Sequence, residues 1–182
     1  MLDRILDLFR GPDPTARWRL SVPRPLTLDL ATGAVNGIRP NAPYTDLMEL
    51  GRPANPRPLA RRTFVYPEMG IVFRVAGERV MGADVRFQPR DVHGDVNEAG
   101  ACEGFRPARL RIVDAGGREM HVTPDTTPDE VRTHFGEAAE VDEITGEWLG
   151  LLYRHPGLEV EFEFGPDRAL GAVLVTYQEE TG

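Results

Sequence analysis

The sequence predicts an α+β fold built from two tandem repeats, each with the element order ββαβββ and a short helix packed on an antiparallel sheet. The two repeats together could form one larger sheet or lie side by side. Two observations support the predicted repeats. The same order of strand, turn and helix patterns occurs twice, and matched glycines recur at nearly constant spacing, first at the turns Gly33 and Gly117 and then at the helix ends Gly51 and Gly136. With 182 residues and 41% hydrophobic residues, the chain is also large enough to bury a core without disulfides.

The pattern divides the chain into four parts. Residues 1–21 are expected to form an N-terminal amphipathic helix and a linker, because Leu2, Ile5, Leu6 and Phe9 lie at helical spacing. Residues 22–90 are the first α+β repeat and residues 106–182 the second. The segment 91–105 has no periodicity and is rich in glycine and small polar residues, which predicts a linker between the repeats.

Each repeat contains one predicted helix with a start and a stop signal. In the first, Thr45 is expected to cap a helix that ends at Gly51. In the second, Thr127 followed by Pro128 and Glu130 matches a capping box, and Gly136 ends the helix. Phe135, at the end of this second helix, is expected to be buried on the sheet.

Alternation along the strands assigns their faces. Leu158, Val160, Phe162 and Phe164 share one face of a predicted strand, which is expected to face the core. Glu159, Glu161 and Glu163 share the other face and are expected to be exposed, as is usual for an antiparallel sheet with one solvated side.

The second repeat carries a resemblance to known families. The stretch T-P-D-E-V-R-T-H-F-G-E-A, followed by Trp148 and Tyr153, resembles the SmpA/BamE-like module and the tandem-repeat β-lactamase-inhibitor-protein-like fold. The resemblance implies a Thr-capped helix on antiparallel strands and a role in binding other proteins. The chain lacks the lipoprotein cysteine, so a role in outer-membrane assembly is not implied. Nothing matches the inhibitor's contact residues, and no functional residue is carried over.

Composition excludes several chemistries. All 21 basic residues are arginine, so no lysine is present for a Schiff base or a phosphate-binding loop. Ser21 is the sole serine and has no nucleophile-elbow glycines around it, and Cys102 is the sole cysteine. The four histidines show no zinc-ligand spacing. The sequence therefore predicts no catalytic residue, no metal site and no cofactor.

Charge is distributed unevenly along the chain. Residues 1–90 contain 14 arginines and 9 acidic residues, a net charge of +5, whereas residues 91–182 contain 7 and 20, a net charge of −13. One interpretation is mutual attraction between the two repeats, which needs no partner. Another is that the acidic half docks a partner with a basic surface. Nucleic-acid binding by the arginine-rich loop around residues 52–62 is disfavoured by the overall net charge of −8.

The acidic half supplies a candidate protein-binding surface. Trp148 is the proposed aromatic anchor, because buried aromatic residues commonly dominate binding energy. The surrounding acids are expected to steer a basic partner toward it. They are Asp142, Glu143, Glu147, Glu159, Glu161 and Glu163.

These observations favour a non-enzymatic protein-binding module, in its sharpest version an immunity or inhibitor protein against a basic toxin or enzyme. The alternative is an enzyme or small-molecule-binding protein with a pocket between the two repeats. The sequence also leaves open whether the chain forms a homodimer. The arginine- and alanine-rich composition suggests a bacterial source. We expect a cytoplasmic location and no membrane partner, because no signal-peptide pattern and no run of about 18 apolar residues is present.

Overall fold

The described residues contain eleven strands arranged in two sheets. The structure is a computed structural model that describes residues 13–55, 58–88, 105–144 and 147–178. In chain order the strands are β1 (Leu26–Asp29), β2 (Ala34–Val35), β3 (Thr63–Tyr66), β4 (Ile71–Ala76), β5 (Arg79–Arg86), β6 (Leu110–Val113), β7 (Glu119–Val122), β8 (Glu140–Ile144), β9 (Trp148–His155), β10 (Leu158–Phe164) and β11 (Leu170–Tyr177).

Helical structure is limited in the described ranges. A 3₁₀ helix spans Tyr44–Glu49, and two α-helices follow, α1 (Pro58–Arg61) and α2 (Pro128–Phe135). The apolar stretch of the predicted N-terminal helix lies in residues 1–12, outside the described residues, and residues 14–17 form turns. The linker predicted for residues 91–105 lies outside them too, except for Phe105.

Two sheets of unequal size are present. The small sheet has the order β2-β1-β6-β7, in which β1 and β6 run parallel and the other pairs antiparallel. The large sheet has the order β3-β4-β5-β11-β10-β9-β8 and is antiparallel throughout. Each sheet therefore contains strands from both halves of the chain.

The predicted fold class is wrong. The chain is mostly β-structure in two shared sheets, and it does not consist of two ββαβββ repeats that each carry a helix on their own sheet. The pairing of β1 with β6 and of β5 with β11 joins the halves. The physical reason is that alternation and turn glycines reveal where strands lie, whereas the neighbour of each strand is decided by contacts distant in sequence.

The predicted N-cap is wrong for the first helix and is present at the second. The first helix is a 3₁₀ segment whose N-cap is Pro43, with no side-chain cap, so the expected capping by Thr45 is wrong. At α2 the predicted capping box is present: Thr127 accepts a hydrogen bond from the backbone N–H of Glu130, and the Glu130 carboxylate accepts one from the N–H of Thr127. Gly136 follows as the C-cap with φ 83°.

One hydrophobic core contains residues of both sheets and of α2. Leu26, Leu28 and Ile112 come from the small sheet, and Val131 comes from α2. The four alternate residues of β10 that were expected in the core are all at most 1% exposed; they are Leu158, Val160, Phe162 and Phe164. Phe135 is only partly buried, with ring centroids 5.3 Å from Tyr153 and 5.7 Å from Phe162.

The other face of the large sheet is here called the outer face. Cross-strand register aligns its residues in rows, of which one contains Arg74, Gly82, Thr176, Glu159 and Arg154. The next row contains Asp84, Leu174, Glu161, Leu152 and Glu140, and a third contains Arg86, Ala172, Glu163, Gly150 and Asp142. Most charged side chains of the large sheet therefore lie together on this face.

Candidate functional site

The predicted binding residues lie at one end of the large sheet. Asp142 and Glu143 are on β8, Glu147 precedes β9, and Trp148 is the first residue of β9. The three glutamates of β10 lie on the outer face two strands away from β8; they are Glu159, Glu161 and Glu163. The fold thus brings the predicted set into one region, although its members differ in exposure.

Strand β8 forms an edge of the large sheet. Among the described residues it has one strand neighbour, β9, with register from Glu140↔Leu152 to Ile144↔Trp148. Glu140, Asp142 and Glu143 are exposed, and Val141 is 52% exposed. An edge strand carries unpaired backbone N–H and C=O groups along its free side. The acidic residues therefore lie along a strand edge that no other described strand pairs with.

Arg154 of β9 connects acids of the two strands on either side of it, β8 and β10. Its Nη2 lies 2.9 Å from Oε2 of Glu140, and its Nε lies 3.0 Å from Oε1 of Glu159. These hydrogen bonds raise the pKa of Arg154. The pairs are substantially exposed, so their worth in stability is small. Their effect is to hold Glu140 and Glu159 in place beside the edge.

The three glutamates of β10 are not equivalent. Glu159 and Glu161 are half-buried, and Glu163 is 7% exposed. The expectation of a uniformly exposed acidic strand face is therefore wrong for Glu163. Its cross-strand neighbours on the outer face are the small residues Ala172 and Gly150, and Arg86 lies beyond Ala172 in the same row.

Trp148 is largely buried on the outer face. Its side chain lies over Gly150, where an added Cβ would be 2.6 Å from Trp148 Cζ3 and 2.8 Å from Oε1 of Glu161. Only 8% of Trp148 is exposed in the free chain. Little of its ring is therefore accessible to a partner, and a role as the anchor of a complex stays a prediction.

The sequence reasoning missed a second charged cluster on the outer face. Arg74 Nε lies 3.0 Å from Oδ1 of Asp84, and Arg86 Nη2 lies 3.8 Å from Oδ2 of the same carboxylate. Burial raises the pKa of Asp84, and the charges of Arg74 and Arg86 oppose that rise. Within the cluster, one buried carboxylate thus lies between two guanidinium groups.

Gly82 is the position that lets Arg74 reach across β5. The guanidinium of Arg74 donates hydrogen bonds to the carbonyl of Val175 and to Oγ1 of Thr176, both on β11. A Cβ at residue 82 would lie 2.4 Å from the Val175 carbonyl oxygen and 2.7 Å from Nη2 of Arg74. A side chain there would displace either the backbone or the arginine.

A weak signal for this cluster is present in the sequence. In the segment R-V-M-G-A-D-V-R, Asp84 and Arg86 are two residues apart in a strand pattern and so share a face. Their relation to Arg74 depends on the register of β4 with β5, which the sequence pattern does not reveal. The sequence therefore indicated that Asp84 and Arg86 lie on the same face, but not that Arg74 lies beside them.

Within the described ranges, no group of three histidine, cysteine, aspartate or glutamate side chains is placed to hold a metal ion. In the same ranges, no helix has the length and apolar character needed to cross a bilayer. The region contains a strand edge without a second neighbour among the described strands, and acidic side chains of which Glu140 is held by Arg154.

No protein-family model matches the sequence, and no curated protein matches it. Among solved structures, the chain is similar to the crystal structure of a DUF4309 family protein from Bacillus subtilis. The similarity covers 78% of this chain and 83% of that chain, at 17% sequence identity and a TM-score of 0.48.

Proposed function

We propose that this chain is a protein-binding module that takes an extended, basic segment of its partner as an additional strand at β8. The observation that carries the proposal is the exposed acidic edge of the large sheet, where β8 has β9 as its strand neighbour among the described residues. Addition of a strand to a sheet edge is a common mode of peptide recognition. Main-chain hydrogen bonds supply affinity in this mode, and side chains supply selectivity.

The charges of β8 select the partner. Glu140, Asp142 and Glu143 are exposed along five residues of strand, with Glu147 in the following turn. Like charges disfavour the pairing of this edge with the same edge of a second copy. A strand bearing arginine or lysine is attracted instead, and long-range attraction raises its association rate.

Alternation along β8 specifies the pattern of the added strand. Glu140 and Asp142 point to the outer face, while Val141, whose 52% exposure leaves apolar area to bury, points to the core side. Opposite charges or apolar groups in cross-strand positions each contribute about 0.2–1 kcal/mol. A segment that alternates basic and apolar residues therefore matches Glu140 and Asp142 on the outer face and Val141 on the other face, where Glu143 is already paired with Arg168.

The immunity or inhibitor role is one version of this proposal, in which the partner is a basic toxin or enzyme. In that version the added strand is an exposed segment of the toxin, and the sheet blocks access to it. The charge of −13 in residues 91–182 supports an opposite charge on the partner.

Binding of a synthetic peptide tests the proposal directly. The probe is a short peptide in which arginine and valine alternate, and its charge control alternates glutamate and valine. We expect saturable binding of the basic peptide, with slowed hydrogen exchange at the backbone amides of residues 140–144. Two further versions of the basic peptide are N-methylated at alternate residues. Each version lacks the N–H donors along one of its two strand edges. One of these should fail to bind, because it lacks the donors that face β8.

Matched variants show whether the acids of β8 themselves speed association with the peptide, or whether the net charge of the whole chain does. Asp142→Asn with Glu143→Gln removes two charges from β8 and should slow association several-fold. Asp46→Asn with Glu78→Gln removes two charges from exposed positions in the first half of the chain, away from that edge, and should leave association nearly unchanged. If both N-methylated peptides bind like the parent peptide, or if exchange at 140–144 is unaffected, strand addition at β8 is excluded.

A further inference from the structure

A cleft away from β8 lies where the two halves of the chain meet. It has a volume of about 700 Å³ and is bordered by the residues that precede β1, the turn between β3 and β4, the residues that precede β6 and those that follow β7. Arg24, Arg106 and Arg109 contribute to its walls, together with one acid, Glu68. The local charge is therefore positive, opposite to that of the β8 edge.

Two of these arginines are available to a ligand. No carboxylate of the described residues lies within ion-pair distance of Arg106 or Arg109, and both are exposed. Several other arginines of the described ranges do have a carboxylate partner, for example Arg118 with Asp114 at 2.6 Å. Arg24 donates a hydrogen bond to the carbonyl of Glu49 and is held by it.

Backbone hydrogen bonds hold the chain segments around the cleft together. The N–H of Arg106 donates to the carbonyl of Pro67 at 2.8 Å, and the N–H of Ala108 donates to the carbonyl of Arg86 at 2.9 Å. Gly70, with φ 66°, allows this approach, because a Cβ there would lie 2.7 Å from the Arg106 carbonyl oxygen and 2.8 Å from the Ala108 nitrogen. The chain segment that carries Arg106 and Arg109 is therefore held in a defined position.

The rest of the lining is mainly apolar and stiff. It includes Met69, Ala108 and four prolines, which are Pro23, Pro25, Pro107 and Pro124. The volume lies within the range of roughly 300–1,000 Å³ typical of small-molecule sites. An arginine fork matches a carboxylate or a phosphate group, and the prolines offer a surface for an apolar body.

We propose that this cleft binds a small organic anion, with its phosphate or carboxylate group held by Arg106 and Arg109 and its apolar part against the proline-lined wall. The site is separate from β8 and does not depend on the function proposed for that edge. Glu68 bears the same sign of charge as the ligand, so it weakens binding.

Titrations followed by NMR test this site on the full chain. The probes are phenyl phosphate and phenylacetate, with inorganic phosphate as the anion without an apolar part and benzyl alcohol as the uncharged control. We expect at least one aromatic anion to bind saturably, with amide shifts centred on Met69, Ala108 and Thr123. It should bind more tightly than inorganic phosphate and than benzyl alcohol. Whichever aromatic anion binds more tightly identifies the preferred group.

Three variants give three different expected results. Arg106→Gln with Arg109→Gln should weaken binding at least about tenfold, since two charge-assisted hydrogen bonds are lost. Glu68→Gln should strengthen binding about two- to fivefold by removing a like charge. Arg17→Gln with Arg39→Gln removes the same charge from exposed positions outside the cleft and should change affinity less than twofold. Absence of saturable binding, equal binding of benzyl alcohol, or equal losses in the two arginine double variants would overturn the proposal.

Discussion

Asp84 lies in an environment unlike that of an ordinary surface carboxylate. It lies between Arg74 and Arg86 on the outer face of the large sheet, and the Arg86 side chain itself is 11% exposed. Burial disfavours the charged carboxylate, so the pKa of Asp84 is raised from its ordinary value of 3.8 even though two arginines are near. Asp114 is the opposite case, because hydrogen bonds from the N–H groups of Arg118 and Gly116 and from the Arg118 side chain lower its pKa.

These two aspartates should affect stability with opposite dependence on pH. Above pH 3.8 the folded chain keeps a proton on Asp84 that the unfolded chain has lost, so this contribution to the free energy of unfolding falls as pH rises through the folded pKa. For Asp114 the contribution is present above the unfolded pKa and is lost as pH falls through the folded one. Urea unfolding of Asp84→Asn, Asp114→Asn and the parent chain across acidic pH measures both slopes.

The test compares the free energy of unfolding of the parent chain with that of each variant at the same pH. The stability of the parent relative to Asp84→Asn should decrease with rising pH, and its stability relative to Asp114→Asn should increase. Two difference curves of the same sign would mean that the environment of one of these carboxylates is misassigned.

Helix α2 is the element whose local sequence and tertiary packing agree best. Its N-terminus has the reciprocal hydrogen bonds of Thr127 and Glu130, and Pro128 occupies the first turn. Its apolar side carries Val131, fully buried, and Phe135, in ring contact with Tyr153 and Phe162. The helix is eight residues long, too short to be stable alone, so its cap and its packing on the large sheet act together.

Removing the cap should destabilise the whole chain. Thr127→Ala leaves the backbone N–H of Glu130 without its acceptor and should lower the free energy of unfolding by about 1 kcal/mol. Thr133→Ala, at an exposed position inside the same helix, is the matched control and should raise it by up to about 0.5 kcal/mol, because alanine has the higher helix propensity. Chemical denaturation followed by circular dichroism measures both. A loss for both variants alike would show that the effect of Thr127 is not due to capping.

The two halves of the chain share both sheets, which determines how the molecule should unfold. Strand β5 of the first half pairs with β11 of the second over five register positions, and β1 pairs with β6 over four. One hydrophobic core contains residues of both sheets. Neither half can therefore separate from the other without exposing buried strands, and we expect cooperative unfolding of the whole.

The two tryptophans report on this cooperativity. Trp18 stacks on Phe64 at 6.0 Å in the first half, and Trp148 lies on the outer face in the second. In Trp148→Phe the fluorescence comes from Trp18, and in Trp18→Phe it comes from Trp148. In each variant, the fluorescence midpoint in urea should coincide with the midpoint from far-UV circular dichroism. Separated midpoints would indicate that the halves unfold independently.

The sequence by itself determined the features that depend on neighbours along the chain. The alternation Leu158–Phe164 identified a strand with one buried face, and Thr127, Pro128 and Glu130 identified a helix start. Each of these is a local pattern, in which the residues that interact lie within a few positions of one another. Such patterns predict elements well, and they also placed the acidic residues of β8 and its turn in one segment.

Tertiary structure alone decided which strands are neighbours and which side chains meet. The sequence offered no sign that Arg74 would reach over Gly82, that Trp148 would be buried over Gly150, or that Arg24, Arg106 and Arg109 would border one cleft. These contacts join residues far apart along the chain. Their partners depend on strand register and on packing of the whole core, because a strand pattern specifies a face to be buried and leaves open the strand that will cover or pair with it.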